Sequence, residues 1–424
     1  EAGALLEGWL SEYPGLLRKE RIGESFEHRP IDAYVLAARP RAAAGPEGSA
    51  GGGAARAQLL ITALMHSREP ATLTCVLYAM GHLMELYQGG DPEAVYLLEG
   101  RELWSVPFVN PDGYAANEKL GIHGMIRKNR RPTCQRSQSS GVDINRNFGV
   151  AWKKDAFPKC DEEYGGTAPF SEPETQAYKK VCEDNSFKAV MNFHSFGSML
   201  THPWNYAPTK AKAKLPDPDH DAIYRELQDV FKFDLFGAAI NTVGYTAIGE
   251  SDDWIYSARG AIAMSPEVGP ESGGFYPDRK LIRGIDSLNF HRAVHLLIKV
   301  GLELTAEWDA GDAAGTLRLR LNNSGLSPSA GAALRVAVAG PAAGAPAPGA
   351  AGGSAGVRPA AGGAALPAWR EGTAVVFEAP PLPRRSSAAY LVSIGQGGVE
   401  VAGLRLCAVE AGASRACHCH GPAG

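Results

Sequence analysis

No apolar run in the 424-residue chain approaches the roughly 18 residues that a membrane-spanning helix needs, so no membrane span is expected. Neither sign of charge dominates: 42 Lys and Arg stand against 46 Asp and Glu, a net charge of −4. That balance argues against a nucleic-acid binder whose affinity would come from neutralising phosphates. Cysteine is scarce, with seven residues, and the odd count leaves at least one without a partner in the chain. Lysine disappears after Lys299, and every later basic side chain is Arg. The opening EAGALLEGWL has neither an initiator Met nor a basic stretch ahead of an apolar one, and so reads as a mature or trimmed chain.

What is plentiful is apolar side chain, 45% of residues, which can build a core, and glycine, 50 residues against a usual share of about 7%. The glycine is concentrated. Residues 41–56 (RAAAGPEGSAGGGAAR) and 341–365 offer almost nothing to bury, and both are expected to be flexible insertions. Ahead of residue 305, short apolar or β-branched runs fall at 31–38, 58–64, 103–109, 189–193 and 261–264. Stretches of helical length and spacing alternate with them at 69–87, 173–185, 219–232 and 278–304. Ser171, with Glu174 three residues on, forms a capping-box pattern ahead of the helix at 173–185. Such alternation predicts one α/β domain, 1–305, on a mixed, largely buried sheet flanked by helices. Beyond it, strand-like runs at 316–321, 334–338, 374–377, 389–394 and 399–406 predict a β-rich, sandwich-like accessory domain, 306–424, with a flexible tail.

The strongest chemical signal is Leu64-Met-His66-Ser-Arg68-Glu69, where the strand at 58–64 gives way to a helix. Ligand sites of open α/β sheets lie at the carboxyl ends of strands. His66 and Glu69, three residues apart, can point at one centre if a turn of chain follows the strand. A catalytic Zn²⁺ takes three protein ligands, His₂Glu being one recurring set, and keeps a fourth position open. The third ligand must come from another strand end, and His194, directly after 189–193, meets that demand. A lone His-x-x-Glu is weak evidence, because both residues are ordinary on the surface of a helix start. Position at two strand ends is what strengthens it.

Further motifs follow in order: Val109-Asn-Pro-Asp-Gly113, Arg127-Lys-Asn-Arg130, Val142-Asp-Ile-Asn-Arg-Asn147, Asn192-Phe-His-Ser195, Asp253-Trp254 and Glu267. With these, the chain resembles the zinc metallocarboxypeptidases, the pancreatic-type carboxypeptidases A and B, over residues 1 to about 305. The 125 residues from Glu69 to His194 and the 73 from His194 to Glu267 are close to that family's spacing. The resemblance implies the zinc-carboxypeptidase fold and one Zn²⁺ per chain held by His66, Glu69 and His194, a set for which carboxypeptidase A is itself the known example. It implies Glu267 as the general base and Arg127 as the positive partner of the oxyanion formed when a peptide carbonyl is attacked. Asn145 and Arg146 fall on the pair that grips a terminal carboxylate, a task suited to a planar guanidinium and an amide. Tyr245 matches a mobile tyrosine that closes over the substrate, and Arg68 an arginine of an outer subsite. Taken singly, Arg127, Asn145 and Arg146 would be loop salt bridges or turn residues, and Tyr245 a half-buried ring.

Specificity rests on Gly249-Glu250-Ser251-Asp252-Asp253-Trp254. Asp252 matches the base of the S1′ pocket, apolar in the A type and Asp in the B type, and a buried carboxylate there demands an Arg or Lys side chain. The same Asp can instead cap the short helix that starts near Trp254. Glu250 stands where the family has a small residue, and Phe196 where a tyrosine often follows His-Ser. Cys134 and Cys160 match the family's disulfide, with Cys160-Asp-Glu-Glu-Tyr164-Gly-Gly as the closer half, and such a bridge implies an oxidising compartment. Cys75 and Cys182 are expected as buried thiols on helices. Cys407 can pair with either Cys417 or Cys419, and Cys417-His-Cys-His420 reads as a disordered end ahead of a metal site. Asn322-Asn-Ser324 is a possible glycosylation sequon.

The expectation is a secreted, extracellular or lumenal zinc metallocarboxypeptidase that removes single C-terminal residues from peptides or proteins, with B-like preference for Arg and Lys. A-like or broad specificity is the alternative within the class. From other classes come a non-catalytic peptide-binding relative, an adhesion protein acting through 306–424, and a deacylase of small N-acyl amino acids.

Overall fold

The computed structural model describes residues 1–38, 56–135, 139–209 and 212–301, then 304–310, 316–326, 333–339, 356–359, 366, 368–371, 374–379, 386–393, 403–410 and 413–420. The expected insertions, 41–56 and 341–365, lie outside the described residues apart from Arg56 and 356–359. The chain falls into two compact units, one ending at Leu297 and the other running on from Ile298.

The first unit opens with α1 (Ala2–Glu12), β1 (Leu17–Glu24), β2 (Pro30–Leu36) and β3 (Ala57–Thr62). It continues with α2 (Pro70–Gln88), α3 (Pro92–Gly100), β4 (Arg101–Val106), α4 (Pro111–Leu120), α5 (Pro173–Asp184) and β5 (Phe187–Asn192). Then come β6 (Met199–Thr201), α6 (Pro218–Phe231), β7 (Leu235–Gly237), α7 (Ala239–Thr242), α8 (Ser251–Arg259), β8 (Ile262–Glu267) and α9 (Arg279–Val300). The strands form one eight-stranded sheet in the order β1-β2-β4-β3-β5-β8-β6-β7. Pairing is parallel from β4 through β3 and β5 to β8, and antiparallel at β1–β2, β2–β4 and β6–β8. The mixed, helix-flanked sheet is the expected architecture. Its central strands are buried on both faces, as the near-continuous apolar runs of β3, β5 and β8 require.

The path of the chain creates the site. From β3 it crosses to β4 on one side and then returns to β5 on the other, so the strand order reverses between β3 and β5. Crevices form outside the carboxyl ends at such a switch point. Thr62, the last residue of β3, pairs in register with Asn192, the last of β5, so the segments leaving the two strands emerge side by side.

Several elements escaped the sequence pattern. In β1 only Leu17 and Ile22 are buried and most of the remaining residues are exposed, because it is an edge strand paired only with β2. The capping-box expectation is corrected. Glu172, not Ser171, is the N-cap of α5, and the Ser171 hydroxyl donates to Glu172 Oε1 at 2.7 Å. Glu174 turns inward, accepting from the Phe26 and Asn129 N–H groups, and burial pushes its pKa up to about 7. The helix α9, whose last turn runs past the unit boundary, stops at Val300, short of the expected 304.

The second unit contains nine strands among its described residues. Gly356–Pro359, Ser386–Ser393, Thr316–Asn323 and Leu304–Ala310 form a four-stranded sheet in that order. Ala368–Glu371, Ala374–Ala379, Ala333–Ala339, Gly403–Glu410 and Ala413–His420 form a five-stranded one. Every pairing is antiparallel. Leu319 and Leu321 are buried and Arg320 between them is exposed, the two-residue period of a strand with one covered face. Toward the end of the chain Ala413–His420 pairs with Gly403–Glu410, which satisfies its backbone groups and sets Cys417 opposite Cys407 in register; the last four residues of the expected tail lie outside the described residues.

Candidate active site

β3 ends in a tight turn at Leu64, whose φ is +53°, and the Leu64 N–H is held by Thr72 Oγ1 at 3.1 Å. The turn swings His66 back over the strand ends, and α2 begins at Pro70 with Glu69 at the N-cap position. An N-cap carboxylate normally accepts from its own helix. That of Glu69 makes no such bond, being engaged by His66 Nδ1 at 3.0 Å, His194 Nδ1 at 3.1 Å and the Ser195 N–H at 3.2 Å. His194 follows β5 and is fixed by backbone bonds, its N–H to Pro266 and its carbonyl from Val268. The donor atoms of His66, Glu69 and His194 all lie within 4.8 Å of one another, and the three side chains are buried.

These residues fit a metal. His66 Nε2 lies 3.1 Å from Asp143 Oδ1, so its proton sits on that nitrogen and the Nδ1 lone pair is left facing Glu69 and His194. Two imidazoles and a carboxylate converging in a buried site are the donor set that zinc favours. Burial disfavours charge on both Glu69 and His194, yet their mutual attraction wins, holding Glu69 well below the carboxylate range and His194 up at about 9.

Around this cluster stand the other expected residues. Glu267 ends β8, beside His194, which follows the neighbouring strand β5, and burial pushes its pKa up to about 8, against the pull of His194. Arg127 makes a two-pronged contact with Asp143 Oδ2, at 3.0 Å from Nε and 2.9 Å from Nη2. Ser67 locates that arginine, its N–H bonding the Arg127 carbonyl at 3.1 Å. Asp143, fully buried, therefore joins His66 to Arg127. Burial alone would favour its neutral acid, but the Arg127 charge and the hydrogen bond from His66 hold it well below the usual range. Sequence reasoning places Asp143 within a motif and assigns it no role. The only signal is its position two residues before Asn145.

Asn145 and Arg146 lie in a single helical turn after Asp143, both buried. Asn145 Oδ1 accepts from the Ser251 N–H at 3.0 Å and its hydroxyl at 2.9 Å. Arg146 gives Nη1 to Glu250 at 3.0 Å and Nη2 to Glu163 at 2.7 Å, while its buried Nε has no partner among the described residues. Asp252 is completely buried. Asn192 Nδ2 holds its Oδ1 at 2.9 Å, while among the described residues no well-formed hydrogen bond reaches its Oδ2, on which the Ser265 hydroxyl acts only weakly. Burial and the charge of Glu250 push Asp252 up to about 7. The capping alternative does not hold for Asp252, because Glu250 occupies the N-cap position of α8 and Asp252 lies inside its first turn. Asn192 organises this corner by also accepting from Thr62 and Tyr178 hydroxyls at 2.7 and 2.6 Å.

Tyr245 is exposed, at 46%, on the segment between α7 and α8, near enough to Arg146 and Arg127 to feel both charges. Arg68 is held by both oxygens of Glu162 at 3.1 and 3.0 Å and lies 4.5 Å over the Phe275 ring, which packs edge-on against Phe196. Cys134 and Cys160 form a disulfide with Cα atoms 5.6 Å apart, and Cys75 and Cys182 are free buried thiols, both as expected.

Residues 3–292 match the family model described as zinc carboxypeptidase. The chain is 27% identical over 273 residues to carboxypeptidase A5 of Macaca fascicularis, covering 63% of this chain and 58% of that one. It is 31% identical over 258 residues to carboxypeptidase B2 of Homo sapiens, covering 58% and 56%. The chain thus spans little more than half the length of these curated relatives. Among solved structures it is similar to thrombin activatable fibrinolysis inhibitor, with a TM-score of 0.60 at 25% identity over 70% of this chain and 72% of the other.

Proposed function

The chain belongs to the zinc carboxypeptidase family, and from that premise we propose that it is a metallocarboxypeptidase releasing single C-terminal residues from peptides or proteins, with preference for Arg and Lys. The observation that carries the proposal is the buried convergence of His66, Glu69 and His194 at the ends of adjacent strands, with Glu267 beside them. These three residues would hold the zinc ion, one per chain. A zinc ion there supplies Lewis acidity toward the scissile carbonyl and toward water.

The chain's own residues do the rest. Glu267 takes a proton from the attacking water and returns it to the departing amine, a task that suits a carboxylate placed beside the three converging side chains. Arg127 is held by Asp143 and offers its remaining N–H groups to the developing oxyanion. Asn145 and Arg146 take the terminal carboxylate, Tyr245 closes from its exposed position, and Arg68 borders an outer subsite with Phe275. Asp252 supports the basic preference: a buried carboxylate with one oxygen lacking a well-formed hydrogen bond is completed by a cation. The disulfide supports an oxidising, extracellular or lumenal location. The two antiparallel sheets after residue 298 would serve as an accessory, sandwich-like domain.

The test is removal of metal by a chelator and restoration with Zn²⁺, reading release of the terminal residue from a blocked dipeptide. Activity lost and regained is expected. Protein that contains zinc and releases no terminal residue from any peptide of a panel would overturn the assignment.

A further inference from the structure

The guanidinium expected to meet the substrate's carboxylate is already engaged by carboxylates of the chain. Arg146 Nη1 has two hydrogens, and both are placed, one on Glu250 Oε1 at 3.0 Å and one on the Asn145 carbonyl at 2.9 Å. Nη2 bonds Glu163 Oε1 at 2.7 Å. A carboxylate that bridges the two terminal nitrogens must therefore compete for Nη1 with Glu250 or with the Asn145 carbonyl, and of these Glu250 is the side chain. The competitor is held there by the fold. Gly249 bonds twice to the segment after Arg146, its carbonyl accepting from Phe148 at 2.9 Å and its N–H donating to Val150 at 3.0 Å. Its φ is +68°, and a Cβ at this position would lie 2.4 Å from the Arg146 carbonyl oxygen. Only glycine permits that approach, and Glu250 follows it directly.

Charge makes the competition selective. Arg146 is one positive charge facing Glu250 and Glu163, and Asp252 lies two residues beyond Glu250 with one oxygen lacking a well-formed hydrogen bond. Arg127, the other nearby guanidinium, is already matched to Asp143. A terminal carboxylate therefore adds a further negative charge to a corner that already has an excess of it. A terminal residue with a cationic side chain compensates, and a neutral one does not.

Building on the proposed carboxypeptidase activity, we propose that Glu250 is a second specificity-determining residue, which yields Arg146 to the substrate's carboxylate and, once released, joins Asp252 in requiring a basic terminal side chain. It acts by excluding neutral termini as well as by attracting basic ones.

The experiment compares kcat and KM for blocked dipeptides ending in Arg and in Phe, with the wild type, Glu250→Gln and Asp252→Asn, all zinc-loaded. For Glu250→Gln the expected result is a fall of about tenfold or more in the Arg-to-Phe ratio of kcat/KM. That fall comes mainly from a lower KM for the Phe substrate, with kcat little changed. Glu250→Gly serves as a second variant should the amide disturb folding, with the same expectation. An unchanged ratio in both Glu250 variants overturns the inference, whether or not Asp252→Asn lowers it. A wild type that prefers Phe, or an Asp252→Asn ratio equal to the wild type's, counts instead against the basic pocket itself. Inactivity of the wild type on every substrate counts against the enzyme assignment.

Discussion

His66, Glu69 and His194 stand at the ends of two neighbouring parallel strands, whereas Asn145, Arg146, Glu250 and Asp252 come from turns and a short helix that meet outside the sheet. The first group inherits its geometry from a backbone ladder, with His194 held by bonds to Pro266 of the adjoining strand and to Val268 just beyond it. The second depends on side chains bonding side chains, Asn192 to Asp252, Asn145 to Ser251 and Arg146 to two glutamates. A centre that must hold a metal in one geometry belongs on rigid elements. A pocket whose ligand varies can stand on loops, where a change in one side chain re-tunes it without moving the sheet.

Each half can be broken separately. The largest effect is expected at the strand end: Glu267→Gln lowers kcat by about 10²–10⁴-fold while zinc stays at one per chain by elemental analysis. Loss of zinc in that variant would place Glu267 among the ligands and blur the distinction between the halves.

In the pocket, Asp252→Asn is expected to change the response of stability to pH. The folded protein holds the Asp252 proton up to about 7, while the unfolded chain releases it near 3.8, so the folded state loses stability as pH rises through that window. Asp252→Asn removes this part of the slope, roughly 3 kcal/mol between pH 5 and pH 8, read by urea unfolding at the two pH values. A parallel pH response in wild type and variant would show that Asp252 is charged throughout. The disulfide ties Cys160, three residues before Glu163, to Cys134. Cys134→Ser with Cys160→Ser should cost roughly 3 kcal/mol of stability by the loop-entropy account, read by thermal unfolding, and loosen the pocket more than the metal site.

The smallest effect returns to the strand end. Asp143→Asn weakens the bond to His66 Nε2 and is expected to reduce zinc affinity by about 10–100-fold, measured by competition with a chromophoric chelator. Equal affinity in the variant would mean that the strand ends alone orient His66.

The same division marks what is legible in the sequence. The strands at 58–64 and 189–193 announce themselves by apolar runs, and His66 and His194 sit at their ends, so the candidate metal cluster can be read from the linear order of the chain. Sequence order brings Asn145, Arg146 and Asp252 into view only through a resemblance between motifs. Asp143 stays hidden because nothing in a chain says that an aspartate will bond a histidine 77 residues away. Edge strand β1 is missed for a related reason, since only Leu17 and Ile22 of its eight residues are buried and no period-two pattern remains.

By itself, the sequence determined the α/β character of the first unit and brought His66, Glu69 and His194 forward as candidate metal donors, because hydrophobic periodicity and donor chemistry are local properties. It also determined which carboxylates exist near residue 250. What only the tertiary structure decided is how those carboxylates are used. Whether Glu250 faces solvent, caps a helix or occupies Arg146 depends on a turn at Gly249 packed against the Arg146 backbone, and on charges from four separate segments whose energies depend on their distances.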